Sequence, residues 1–312
     1  MSDLNFASVR LVIADGGGQI RKEIRTVLHH HGFRNIVDTP SIDVVHDALA
    51  RNQVDLLISD FRLSGGDMCD LIWQVRHHKI GDNPFVVVMT LIEAPTETEI
   101  RRIIESGSDD LILKPISTGL MIDRVMMMVN QRKNFVVTSD YIGPTRREKP
   151  REGTADAQEI AVPNPVQVKA NGGAGAAHLQ EEIDLFRELI NEQKMGRNAV
   201  QIAFLVGKLL PLYKGEEPKK TNVMPHIDRL LSTSEDIARR LTGTSFDHVG
   251  ELCNSMVTVV QSIRERPTKP KSQDLKLLPE LATAIETAFT SEGTDTELAR
   301  DISASVKQRG QK

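Results

Sequence analysis

Cysteine, tryptophan and tyrosine are nearly missing from this chain of 312 residues, which has two, one and two of them respectively, with aromatics at 4%. Two cysteines in unrelated contexts, Cys69 and Cys253, cannot form a disulfide framework and point to a reducing compartment. Long apolar runs are missing too, so a membrane-spanning helix is excluded. The N-terminus lacks a basic start followed by an apolar stretch and a cleavage site, so the expectation is a cytoplasmic protein without a leader. Nor does either sign of charge prevail. Against 39 Lys and Arg stand 43 Asp and Glu, a net charge of -4, so bulk electrostatics give no support for nucleic-acid binding and leave only a local basic patch open. What is present is 39% apolar and 26% charged residues over twice the usual length of a domain, which favours two domains and a linker.

Apolar runs at residues 9–14, 54–59, 85–89 and 111–113, with a weaker one at 35–39, read as strands of a parallel sheet covered on both faces. Between them lie helical patterns. Ile20, Ile24, Val27, Leu28 and His31 repeat at three and four residues and stop at Gly32, and further helices fit residues 41–50, 67–78, 96–106 and 117–131. Thr96 with Glu99 makes a capping box. This alternation predicts a doubly wound α/β domain with a five-stranded parallel sheet over residues 1–133. Residues 134–177 read as a flexible linker, because positions 143–177 hold five Gly, four Pro and seven Ala with no sustained period. Residues 178–312 read as an all-α helical domain of four to six helices, with breaks at Pro211 and Gly243 and a second capping box at Thr294 and Glu297.

Ligands of such sheets bind at the carboxyl ends of the strands, so the chemistry is sought just after each apolar run. There stand Asp15, Asp60, Thr90 and Lys114. Two carboxylates, a hydroxyl and an amine in one cleft suit phosphoryl transfer, in which one carboxylate attacks phosphorus while a metal and the ammonium neutralise the phosphoryl oxygens. Any one of the four alone is better read as an ordinary polar loop residue; the four together are not.

These segments, LVIAD ending in Asp15, DLLISD ending in Asp60, VVVMT ending in Thr90 and the pair Lys114-Pro115, resemble the receiver domain of bacterial two-component response regulators over residues 8–130. The resemblance implies that Asp60 accepts phosphate from a histidine kinase or phosphotransfer protein. It also implies that Thr90 hydrogen-bonds the phosphoryl group, that Lys114 pairs with it, and that the bond before Pro115 is cis. Mg²⁺ would be held by Asp15, Asp60 and the backbone carbonyl of Arg62.

The chain departs from the family at three places. Gly16 stands where a second acidic residue is usual, which weakens the Mg²⁺ site by about 1 to 3 kcal/mol after water replaces part of the lost charge interaction. Leu111 stands where a switch aromatic is common, and Ser64 where a proline is. The triplet Gly16, Gly17 and Gly18 lacks the spacing and lysine of a phosphate loop. His29, His30 and His31 fit a solvated helix end, and the Arg147 and Arg151 pair a solvated basic linker. His178, His226 and His248 read as surface histidines. Met121, Met126, Met127 and Met128 serve either core packing or a homodimer face.

The leading expectation is a response regulator that signals through its helical domain to an unidentified output protein. A phosphorylation-independent pseudo-receiver acting as a protein-interaction module, supported by Gly16 and Leu111, stays open as an alternative. So does a DNA-binding regulator, although Arg239, Arg240, Lys269 and Lys271 are equally explained as solvated surface. Signatures of an output enzyme are missing, and the only catalysis expected is the receiver's own phosphorylation and dephosphorylation.

Overall fold

The computed structural model describes residues 4–146, 158–172, 174–214, 219–241 and 249–291. The expected features at Arg147, Arg151, Gly243, His248, Thr294 and Glu297 lie outside these residues. The chain divides into two compact units. The first comprises Met1–Val136 with Tyr141–Glu188, and the second Val137–Asp140 with Leu189–Lys312.

The first unit contains five parallel strands, β1 (Arg10–Ala14), β2 (Asn35–Thr39), β3 (Leu56–Asp60), β4 (Val87–Ile92) and β5 (Asp110–Leu113), in the order β2-β1-β3-β4-β5. Helices α1 (Gly18–His30), α2 (Ile42–Ala50), α3 (Met68–Arg76), α4 (Glu97–Ser106) and α5 (Thr118–Asn130) connect and follow them. Alternate strand residues face two cores. Leu11, Ile13, Leu56, Ile58, Val87 and Met89 pack with Leu28 of α1 and Met121, Val125 and Met128 of α5. Val12, Leu57, Val86 and Val88 pack with Val45 and Leu49 of α2 and Leu71, Ile72 and Val75 of α3. Burial on both faces is why the strands read as nearly continuous apolar runs. Met126 and Met127 also pack against the first core. Helix starts follow their caps: Ser41, Asp67 and Ser117 accept from the first turns of α2, α3 and α5, and Thr96 with Glu99 forms the full capping box of α4.

The described part of residues 134–177 departs from the expected flexible linker. Within the described part lie β6 (Phe135–Val137), β7 (Ile142–Pro144), β8 (Glu159–Ile160), α6 (Pro165–Asn171) and the start of α7 (Ala174–Leu212), and the three strands form a sheet in the order β7-β6-β8. Its few apolar residues are spent on contacts with the α/β domain, so they show no period of their own: Val166 and Ala170 of α6 join the core shared by α1 and α5. Lys169 bonds the buried carboxylate of Asp55 at 2.7 Å, beside Arg10 at 2.7 Å. Asn164 donates to the Met128 carbonyl at 2.8 Å. Gly143 belongs here because of close approach. A Cβ on it would stand 2.9 Å from the Gly107 Cα, and one on Gly107, itself at φ 89°, would stand 2.8 Å from the Ile142 carbonyl oxygen.

The second unit contains α7 from Leu189 onward with α8 (Lys220–Leu241), α9 (Gly250–Glu265) and α10 (Ser272–Ser291). Its core is formed by Ile202, Leu209, Ile227, Leu230, Met256, Val260, Leu278 and Ile285, among others. Arg239 and Arg240 both bind Asp236, at 2.7 and 2.9 Å, and Arg240 also donates to Asn191 at 3.0 Å. Arg240 is therefore buried in the bundle, whereas Arg239 stays at its surface. None of the described helices is long and apolar enough to cross a membrane.

Candidate functional site

Three of the expected residues meet at the carboxyl edge of the sheet. Asp15 follows β1 and is only 2% exposed; its Oδ1 accepts the Gly17 N–H at 2.7 Å and its Oδ2 the Lys114 ammonium at 2.5 Å. Asp60 ends β3; its Oδ1 accepts the Arg62 N–H at 2.5 Å, and its Oδ2 also bonds the Lys114 ammonium. Lys114 follows β5, and the bond to Pro115 is cis. Burial pulls the Lys114 pKa down, but the bonds to Asp15 and Asp60 outweigh it and raise the pKa above that of a free lysine. Two carboxylates and one ammonium leave the cluster with a net negative charge.

Thr90 does not join them. The apolar pattern runs past it through Leu91 and Ile92, so β4 is longer than the expected 85–89 strand and Thr90 lies inside it. In register it stands between Ser59 and Leu111, is fully buried, and its hydroxyl lies 2.8 Å from that of Ser108. Threonine reads as polar punctuation in sequence, yet it is β-branched and at home in a strand once its hydroxyl has a partner. The last residue of β4 is Ile92, which pairs with Leu113 and whose carbonyl accepts the Lys114 N–H at 2.8 Å. Ile92 packs with Cys69 and Ile103, against which Phe61 and Leu111 also rest. Thr90→Val is accordingly expected to leave phosphoryl uptake unchanged and to cost about 1 kcal/mol of stability. Phosphorylation rates and denaturation midpoints of the folded variant check both.

The Arg62 side chain, unlike its carbonyl, had no expected role. Its Nε and Nη2 donate to Glu99 Oε1 at 3.1 and 2.8 Å, and its Nη1 to the Glu93 carbonyl at 3.1 Å. Bonds from the Thr96 backbone, then from Arg62, hold the Glu99 carboxyl at about 2, well below the usual range. The capping motif identified Glu99 as a helix start, and nothing in the sequence indicated its second partner.

A hard divalent cation fits this donor set. One ammonium already bridges both Asp15 and Asp60, so a single small cation can be shared between their carboxylate oxygens, the kind of donor Mg²⁺ prefers. The set is thin, however, since among the described residues no three His, Cys, Asp or Glu side chains gather to hold a metal. A Cβ on Gly16 would meet nothing within 4 Å, so a third carboxylate has room there.

An aspartate at the end of the middle strand, facing a second aspartate and a lysine before a cis proline, is the arrangement expected of a phosphoacceptor. Residues 11–126 match the response regulator receiver domain family. The chain is 28% identical over 123 residues to the phosphate regulon transcriptional regulatory protein PhoB of Escherichia coli K12, a match covering 39% of this chain and 52% of the relative. The chain thus spans about half the length of the curated relatives it matches. Similar solved structures include an orphan response regulator of H. pylori (21% identity, TM-score 0.33, 38% of this chain and 95% of that one). Another is a receiver domain from Bermanella marisrubri (19% identity, TM-score 0.34, 39% and 98%). Receiver domains are signalling regulators that typically bind Mg²⁺ at the phosphorylation site and interact with histidine kinases or phosphotransfer proteins. The family match lies in the α/β part of the chain.

Proposed function

We propose that the receiver accepts a phosphoryl group on Asp60 from a histidine kinase or phosphotransfer protein, and that the helical unit passes the change on by binding another protein. The observation that carries this reading is the Lys114 ammonium held against both Asp15 and Asp60. In the transfer a carboxylate oxygen of Asp60 attacks phosphorus, the bond from phosphorus to the donor's leaving nitrogen or oxygen breaks, and the leaving atom keeps the electron pair. Lys114 then pairs with a phosphoryl oxygen. Mg²⁺, when bound by Asp15, Asp60 and the Arg62 carbonyl, supplies charge that offsets the incoming phosphoryl group, and Gly16 makes that binding weak. The burial of Arg240 against Asp236 and the chain's net charge of -4 favour a protein over DNA as the output partner. PhoB is named as a transcriptional regulator, but its similarity to this chain covers 39% of the length, so DNA binding does not carry over.

The test is incubation with a small phosphodonor and Mg²⁺, followed by mapping of the acyl phosphate. Label is expected on Asp60, and an Asp60→Asn variant is expected to take up none. A second reading, a pseudo-receiver that works without phosphate, is favoured by one observation, the commitment of the Thr90 hydroxyl to Ser108. Folded wild-type protein that stays unlabelled at high Mg²⁺ selects it.

A further inference from the structure

We propose that Arg62 is the residue that senses a phosphoryl group on Asp60, releasing α4 to take hold of the phosphoryl oxygens. The inference rests on the reading of Asp60 as phosphoacceptor and deepens it.

Arg62 is rooted beside the reacting oxygens, because its own N–H donates to Asp60 Oδ1 at 2.5 Å. Its side chain is half exposed, at 51%, and is anchored on the far side of the site by Glu99 and the Glu93 carbonyl. At rest Asp60 Oδ2 is already engaged by the Lys114 ammonium, and the guanidinium is bonded to Glu99 instead. That hold is weak, since an ion pair at a solvated surface contributes little. A phosphoryl group on Asp60 brings up to about two negative charges and three strong acceptor oxygens, which a guanidinium binds in bidentate fashion. The competition therefore favours exchange. The two residues that would otherwise couple the site to α4 are poorly suited to do so, because Thr90 is buried against Ser108 and position 111 is leucine.

The exchange would act on one end of α4. Glu99 Oε2 keeps the Thr96 N–H and hydroxyl, at 2.8 and 3.0 Å, so the capping box and the helix persist. What is lost is one of the two ion pairs that, among the described residues, join α4 to the segment after β3, the other being Arg102 with Asp67; Phe61 still rests against the cluster that holds Ile103. The loop that Arg62 releases is itself held in an unfavourable shape, with Ala94 at φ 42°, in the left-handed region. A change confined to residues 93–99 is what a partner would read.

The experiment uses the full chain with beryllofluoride and Mg²⁺ as the phosphoryl mimic, reading binding by titration and backbone mobility by hydrogen exchange. In the wild type, amides of residues 93–99 are expected to exchange faster once the mimic binds. Arg62→Ala is expected to bind it about tenfold or more weakly and to lose the exchange response, with partial recovery in Arg62→Lys. Glu99→Gln keeps a capping side chain but lets go of Arg62, so it is expected to bind the mimic about two- to fivefold more tightly and to exchange fast beforehand. Wild-type affinity in Arg62→Ala, or unchanged affinity in Glu99→Gln, overturns the role of Arg62 alone. A wild type that binds no more mimic than Asp60→Asn overturns the phosphoacceptor reading, and this inference with it.

Discussion

Asp109→Ala is expected to destabilise the first unit by about 3–5 kcal/mol, the cost of breaking a buried ion pair from one side. Asp109 is buried between two guanidiniums. Its Oδ2 accepts Arg76 Nη2 and the Val88 N–H, both at 2.8 Å, and its Oδ1 accepts Arg132 Nε at 2.8 Å. Burial pushes the Asp109 carboxyl up, but Arg132 and Arg76 together hold it below its ordinary value; burial, only partly opposed by Asp109, brings Arg76 down to about 10. Alanine would strand both cations among carbonyls. Trp73 on α3 is the only tryptophan, so its fluorescence follows the unfolding of this unit alone. Because the folded pKa of Asp109 is depressed, its stabilisation is fully present above the unfolded value near 4 and is lost as pH falls through the folded pKa. The difference between wild type and variant is therefore expected to be large at neutral pH and to shrink in acid. A midpoint within about 1 kcal/mol of wild type at pH 7 would refute the ion-pair account.

Gly16→Asp is expected to tighten Mg²⁺ binding about tenfold or more, at about 1.4 kcal/mol per factor of ten. The backbone tolerates the change, since Gly16 is outside the left-handed region and a Cβ there meets no atom within 4 Å. The new carboxylate joins Asp15 and Asp60 next to a single ammonium, so the cluster becomes more negative and attracts a divalent cation more strongly. Calorimetric titration of the two proteins measures the change. Equal or weaker affinity would mean that charge at this position does not limit the site.

The contrast between Asp60 and Thr90 shows how much of this site was legible in the sequence. Asp15, Asp60 and Lys114 each follow the last apolar residue of a strand, and parallel strands bring such positions together whatever else the fold does. Thr90 follows an apolar run as well, but the run resumes, and the partner that lets its hydroxyl be buried, Ser108, is eighteen residues away. The cap at Thr96 is local and was readable; the Arg62 to Glu99 bond spans 37 residues and was not. Composition misled at residues 134–177 for a related reason. Gly143 looks like linker glycine until the Cα of Gly107 is found against it. Val166, likewise, shows no amphipathic pattern because its core belongs to another segment.

The bond between Lys169 and Asp55 joins residues 114 positions apart, and the carbonyl of Ala170 accepts the N–H of Asn5 at 2.8 Å. During synthesis, then, the sheet can assemble only provisionally when residue 126, the end of the family match, has been added. Another 44 residues must follow before Ala170 exists to close the domain, about 2 to 9 s at about 5–20 residues per second. For that interval the nascent chain holds Asp55 with one of its two cations, and Asp109 depends on Arg132, six residues past the family boundary, for the other half of its charge balance. Ribosomes stalled before and after residue 170 would carry the same five strands in different states of completion.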